Sequence, residues 1–217
     1  MSASHDENPR VIASPSRVPD SNRRSRNWLW AGCALVIAGA AVRLYFRDIP
    51  NFSPVAAIAL YAGFALGRVR RAIWIPLAVM AVSDWVIGGY DWKLMVVVYG
   101  MLALPVIAGG ILASRRQRWS WQVTLFGGVL ATVAGSLAFF FVTNTAVWAL
   151  SSWYARDLSG LVSCLSAGLP FFRYTLGGDL AFATVLFGSH FAALAVAGHS
   201  ARSSESIAAV PDQATTV

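Results

Sequence analysis

From Trp28 to Gly198 the chain consists almost entirely of long apolar stretches, separated by links of only a few polar residues. A helix needs about 20 mostly apolar residues to cross the hydrocarbon layer of a bilayer. Within hydrocarbon every backbone N–H and C=O must also be satisfied internally, and helices do that segment by segment. This one pattern therefore predicts an all-α membrane protein: a compact bundle of about six transmembrane helices in a single domain, 28–198.

The predicted spans are Trp28 to Tyr45, Phe52 to Gly67, Ala72 to Gly89, Leu94 to Ala113, Trp121 to Leu150 and Pro170 to Gly198. The second is short for a spanning helix. The fifth would be roughly 45 Å long if straight, against a core of about 30 Å. Residues 1–27 are polar, proline-bearing and arginine-rich, and 199–217 are small and polar, so both ends read as disordered tails. The polar leader ahead of Trp28 is long for the n-region of a signal peptide, which favours retention of the first helix.

A formal charge of +7 would suggest nucleic acid in a soluble domain, but only 12% of these residues are charged and the arginines cluster between the spans. That distribution answers to topology, and no nucleic-acid partner is implied. With the N-terminus cytoplasmic, twelve of the basic residues fall on the inner side and five on the outer, and each short inner loop carries three arginines (Arg68, Arg70, Arg71 and Arg115, Arg116, Arg118). Both termini are then cytoplasmic, and membrane lipids are the first partners expected.

Ionisable groups in a bilayer are costly, so the few present are the most informative residues. Asp84, Asn144, Arg173 and Asp179 come from three spans and share one depth near the outer side. Asn51 to Pro54 opens the second span on that side, with Ser53 placed to cap the helix and Pro54 suited to its first turn. Gly177 and Gly178 leave room for a kink or a close approach beside Asp179. Trp148 lies one turn from Asn144 and offers a flat apolar face.

The candidate substrate-binding set is therefore Asn51, Ser53, Asp84, Asn144, Trp148, Arg173 and Asp179, around a pocket opening outward. The same polar residues could instead tie helices together, with Asp84 or Asp179 paired to Arg173 or Arg47. The other Trp and Tyr residues of the outer side fit an interfacial belt. The 19 residues from Ser151 to Leu169 are long for a plain connection and suggest a lid or re-entrant cap. His190 is expected to be a packed neutral histidine or a pore-side one.

The only lysine, Lys93, follows Asp91 and Trp92, so no nucleotide-binding P-loop exists. Serine-hydrolase, zincin and Cys-x-x-Cys signatures are missing too, and neither cofactor nor metal is implied. Two membrane aspartates leave an intramembrane aspartyl protease as an alternative, but Ser83-Asp84 and Gly177-Gly178-Asp179 depart from the Tyr-Asp and Gly-x-Gly-Asp of such enzymes.

The run from Asn51 to Gly63, Ser83-Asp84, the Phe140 to Asn144 segment with Trp148, and Gly160 through Cys164 to Pro170 and Phe172 resemble an uncharacterised bacterial membrane-protein family of unknown function. The resemblance covers roughly 47–188 and implies a multi-pass protein of the bacterial cytoplasmic (inner) membrane. In architecture the chain is also similar to the substrate-binding S components of energy-coupling-factor transporters. That similarity implies uptake of a small molecule, energised by a transmembrane coupling subunit and ATPases, with Ala34 and Ala38 as a docking stripe on the first helix. A self-contained proton- or cation-coupled transporter or channel is the other transport reading.

Overall fold

The computed structural model describes residues 21–208, with side chains described for 28–200. Within these residues the chain is helical and carries no strand: α1 (Ser21–Tyr45), α2 (Val55–Leu66), α3 (Val69–Ala72), α4 (Trp74–Ile87), α5 (Trp92–Met101), α6 (Ala103–Arg115), α7 (Trp121–Leu150) and α8 (Leu158–Ala208). Only Ile73 separates α3 from α4, and only Leu102 separates α5 from α6, so the eight helices form six rods, as the hydropathy pattern predicts. Four segments are long and apolar enough to cross a membrane: Trp28–Tyr45, Trp92–Arg115, Trp121–Leu150 and Leu158–Ser200. The arm 1–20 and the tail 209–217 lie outside the described residues. Helices α1 and α8 extend into the remainder of the expected tails, taking in 21–27 and 199–208.

Helix α2 has 12 residues and is the centre of the bundle. Val55, Ala57, Ile58, Ala59, Leu60, Ala62, Gly63 and Phe64 are buried around its whole circumference. A helix apolar on all sides stabilises itself only when surrounded, and α2 is surrounded by α1, α4, α6, α7 and α8. At about 18 Å it is much shorter than the hydrocarbon layer. Its end is set by Gly67, whose φ of 60° and N–H bond to the Gly63 carbonyl form a left-handed helix cap.

The contact of α2 with α6 is made by backbone. A Cβ on Gly63 would run into the Val106 carbonyl, and one on Gly109 would meet the Leu60 carbonyl and lie 2.7 Å from the Phe64 nitrogen. Two glycines facing opposite ways across one crossing let the helix axes approach as closely as two helices can. A glycine also lets α1 close on its neighbours: a Cβ on Gly39 would sit 2.5 Å from the Ile58 side chain of α2 and 3.1 Å from the Val79 side chain of α4. Ala34 and Ala38 point away from this seam and are exposed.

Helix α7 reverses the soluble pattern. Its buried residues are Thr124, Gly128, Thr132, Ser136 and Phe140, a four-residue period of mostly small polar groups, while Phe126, Leu130, Leu137 and Phe141 face outward. Thr124 and Thr132 satisfy themselves on their own helix, donating to the Ser120 carbonyl at 3.0 Å and the Gly128 carbonyl at 2.9 Å, while the Ser136 hydroxyl has two acceptors in reach for its one proton, the Thr132 carbonyl at 3.0 Å and a carboxylate of α8 at 2.6 Å. Lipid is as apolar as any core, so small polar residues are best placed between helices.

Two local expectations are corrected. Helix α8 begins at Leu158, not Pro170, and 158–169 is no lid or loop but the first turns of a 51-residue helix. Asp157 starts it by accepting the Gly160 N–H and the Ser159 hydroxyl, both at 2.8 Å. Those donors hold its carboxyl below the usual carboxylate range. Pro170 removes one ladder donor inside the helix, and the neighbouring hydrogen bonds carry it through. The second correction concerns Ser53: Pro54 occupies the N-cap position of α2, no side chain caps it, and the Ser53 hydroxyl only accepts the Val55 N–H at 3.4 Å.

The glycine crossing generates the first prediction. Gly109→Ala should lower stability by about 1–3 kcal/mol, because the backbone itself must move to admit the methyl group. Gly135→Ala, where a Cβ meets nothing within 4 Å, should leave stability unchanged. Thermal unfolding of both variants in detergent, read by intrinsic tryptophan fluorescence, checks the pair.

Candidate functional site

Where α2 stops short of filling the bundle's height, a cavity of about 440 Å³ opens. This lies in the range of small-molecule sites. It sits at the end of the bundle where α1 finishes and α2 begins, and every rod contributes to its wall. The α1 end supplies Arg43, Phe46 and Arg47, and the following turn supplies Asn51, Phe52 and Ser53. Helices α5 and α6 give an apolar side with Leu94, Val97, Val98, Met101, Leu102 and Pro105. Helices α7 and α8 give a polar side with Thr132, Ser136, Thr143, Asn144, Thr175 and Asp179.

The turn that brings Asn51 and Ser53 to the wall is tight. Asn51 has a φ of 59°, the left-handed region that Asn tolerates better than most residues. Phe52 then folds back against Phe46 and Phe182, with ring centroids 5.1 and 5.3 Å apart. Gly178 makes this possible, since a Cβ there would lie 3.1 Å from the Phe52 ring. The close approach expected at the glycine pair is thus met by Phe52, and α8 continues through both glycines as a helix.

The two membrane aspartates have different surroundings. Asp84 is 6% exposed; its Oδ1 accepts from the Arg43 guanidinium at 2.5 Å and its Oδ2 from the Tyr99 hydroxyl at 2.8 Å. Arg43 also donates to the Ser83 hydroxyl, which donates in turn to the Val79 carbonyl at 2.6 Å. The carboxylate is therefore neutralised and hydrogen-bonded on both oxygens, and it joins α1, α4 and α5. The ionic partner is Arg43, not Arg47 or Arg173. Only the Arg43 side of this pair reaches the cavity wall.

Asp179 is 4% exposed and lines the cavity, and the Ser136 hydroxyl, 2.6 Å from its Oδ2, is its hydrogen-bond partner. Among the described residues no cationic side chain forms an ion pair with it. Ser136 therefore belongs with Asp179 in the cavity. The two aspartates are not hydrogen-bonded to each other, so they do not form the shared-proton pair of an aspartyl protease.

Of the sequence candidates, Asn51, Ser53, Asn144 and Asp179 come together on the cavity wall, and Asp84 lies one residue behind it. Asn144 is engaged at the α7–α8 joint: its Nδ2 donates to the Phe140 carbonyl at 2.7 Å, and Gly168 makes room for its Oδ1. Arg173 and Trp148 are not in the wall. Arg173 is exposed, lies 4.7 Å over the Tyr174 ring and donates to that hydroxyl at 2.9 Å. Trp148 donates its indole N–H to the Ala155 carbonyl at 2.8 Å and braces the turn into α8. Elsewhere His190 lies with Nδ1 3.2 Å from the Tyr61 hydroxyl.

Sequence reasoning missed Arg43, Tyr99, Thr132 and Ser136. The signal for Arg43 was present: an arginine within a predicted span demands a partner at its own depth. Nothing in the sequence marked Tyr99 or Ser136, because isolated hydroxyls are common in membrane helices.

The spanning helices, the lipid-facing apolar exterior and the polar interior around one cavity define a multi-pass helical membrane protein. Residues 22–202 match a family of unknown function, DUF6580, and the chain belongs to that family. The resemblance read from the Asn51 to Gly63 run and its companion motifs is thereby borne out as membership of an uncharacterised family, over a longer stretch than those motifs cover. No curated protein and no solved structure matches the chain.

Removing one partner of a buried ion pair strands the other. Arg43→Met should therefore cost about 3–5 kcal/mol, and the double variant Arg43→Met/Asp84→Leu should recover much of that loss. Unfolding midpoints of the two single variants and the double variant, compared as a cycle, measure the coupling.

Proposed function

We propose that this protein is the binding component of an uptake system for a small molecule, in the manner of an S component: it takes its ligand from outside the bacterial cytoplasmic membrane and depends on a separate coupling subunit and ATPases for energy. The observation that carries the reading is the cavity of about 440 Å³, which sits at the end of the bundle that charge asymmetry turns outward. Asn51, Ser53, Asn144, Thr143, Ser136 and Asp179 provide directional contacts, and α5 with α6 provides the apolar floor. Trp148 and Arg173 lie outside the wall and drop out of the recognition set, and Arg43, although it reaches the wall, is engaged by Asp84.

Below the cavity the interior is filled. Phe64 and Phe187 are each 2% exposed and lie 5.1 Å apart by centroid. A ligand held beside Asp179 therefore has no open route to the other side without a rearrangement of helices, which suits a component driven by partners. A self-contained proton- or cation-coupled carrier draws some support from the hydroxyl stripe of Thr124, Thr132 and Ser136. That stripe is interrupted at Gly128, and Thr124 and Thr132 are bonded to their own helix.

Two measurements test the reading. Gly135 lines the cavity and a side chain there meets open space, so Gly135→Phe should fill the cavity in a protein that remains folded. Mass spectrometry of small molecules released on denaturation should find a compound with the wild type and lose it, at least about tenfold, with Gly135→Phe. Equal recovery from both proteins would remove the cavity from the account. Orientation is checked with the only lysine: Lys93 is exposed at the cavity end, and a membrane-impermeant amine reagent on intact cells should modify it. Modification only after the cells are broken would reverse the topology.

A further inference from the structure

We propose that the ligand of the cavity is an organic cation, a compact protonated amine on an apolar or aromatic body, whose charge is met by Asp179. The inference rests on the reading of the cavity as a binding site and deepens it by naming the chemical class of the ligand.

The argument begins with the charges of the wall, which are Arg43, Arg47 and Asp179. Arg43 is satisfied by Asp84, whose second oxygen is taken by Tyr99. Arg47 is 59% exposed and has Asp48 3.9 Å away, so it stands at the solvent edge, where water screens it. Once each arginine is matched with its own carboxylate, the charge left inside is that of Asp179. It is 4% exposed, with a serine hydroxyl as its hydrogen-bond partner. A buried carboxylate in a low-dielectric interior holds its charge only beside a counter-charge and otherwise takes up a proton, and the cavity it faces is where a mobile counter-charge would sit.

The rest of the wall suits a cation. Phe46, Phe52, Tyr90 and Phe139 bring aromatic rings to it, and the faces of such rings attract ammonium groups. Pro105 has no N–H to offer the Met101 carbonyl four residues earlier, and both residues line the cavity. The break between α5 and α6 therefore leaves a backbone acceptor without its usual helical donor on the apolar side. Thr132, Thr143 and Asn144 supply further oxygens. An anionic ligand would instead bring a second negative charge beside Asp179.

The test uses matched probes on the purified full-length protein in detergent: arylalkyl ammonium ions such as phenethylammonium and tryptammonium, with carboxylate and primary-amide counterparts of equal size. Binding is read by thermal shift and by isothermal titration. The ammonium members should bind the wild type at least about tenfold more tightly than their counterparts. That preference should vanish in Asp179→Asn and persist in Asp179→Glu, with size-exclusion profiles reporting that each variant is folded. Preference for the carboxylates or amides, ammonium binding that survives in Asp179→Asn, or no binding of any ammonium member overturns the proposal. If carboxylates or amides bind and Gly135→Phe abolishes that binding, the cavity remains a binding site and only its charge preference is wrong. If Gly135→Phe changes nothing, the cavity reading fails as well.

Discussion

The backbone-to-backbone crossing of α2 and α6 at Gly63 and Gly109 is the constraint on which the rest of the structure depends. In lipid there is no hydrophobic drive between helices, so close packing and polar contacts must hold a bundle together. Two glycines at one crossing bring a short, wholly apolar helix into the centre, and five others gather around it. Because α2 has only 12 residues, the surrounding rods enclose more height than it can fill. The unfilled part is the cavity, so the feature that holds the bundle together also creates the site.

Polar side chains divide into two kinds by what they have left to offer. Arg43, Ser83, Asp84 and Tyr99 form a closed network in which every charge and both carboxylate oxygens are matched. Such a network ties helices at a fixed register and has little further capacity for a ligand. Asp179 has no ion-pair partner among the described residues and faces the cavity, with Ser136 beside it. Equal residue types in equally apolar spans have thus been given unequal roles by their neighbours, and this separates the structural aspartate from the candidate binding one.

The misplaced sequence candidates follow the same logic. Arg173 and Trp148 occur at plausible depths, but depth is only one coordinate, and a helical side chain also has an azimuth. Arg173 turns outward onto Tyr174, and Trp148 turns toward the α7–α8 connection to bond Ala155. Span boundaries show a similar effect at Pro170. A proline after a polar stretch reads as a helix start, yet Asp157 and its capping bonds begin α8 earlier, and the ladder passes through the proline.

The motifs of the sequence marked the family, and its composition determined the solvent, the all-helical class, the number of rods and that Asp84 and Asp179 had to be internal. These follow from hydropathy over windows of about 20 residues and from the cost of charge in hydrocarbon, which depend on local composition alone. Only the tertiary structure decided which aspartate is paired, that Arg43 is its partner across 41 positions, that Ser136 meets Asp179, and that a cavity exists. Those facts depend on the rotation of each helix about its axis and on the distance between axes. Both are set by where glycines allow backbones to touch, a pairwise property that no single span carries.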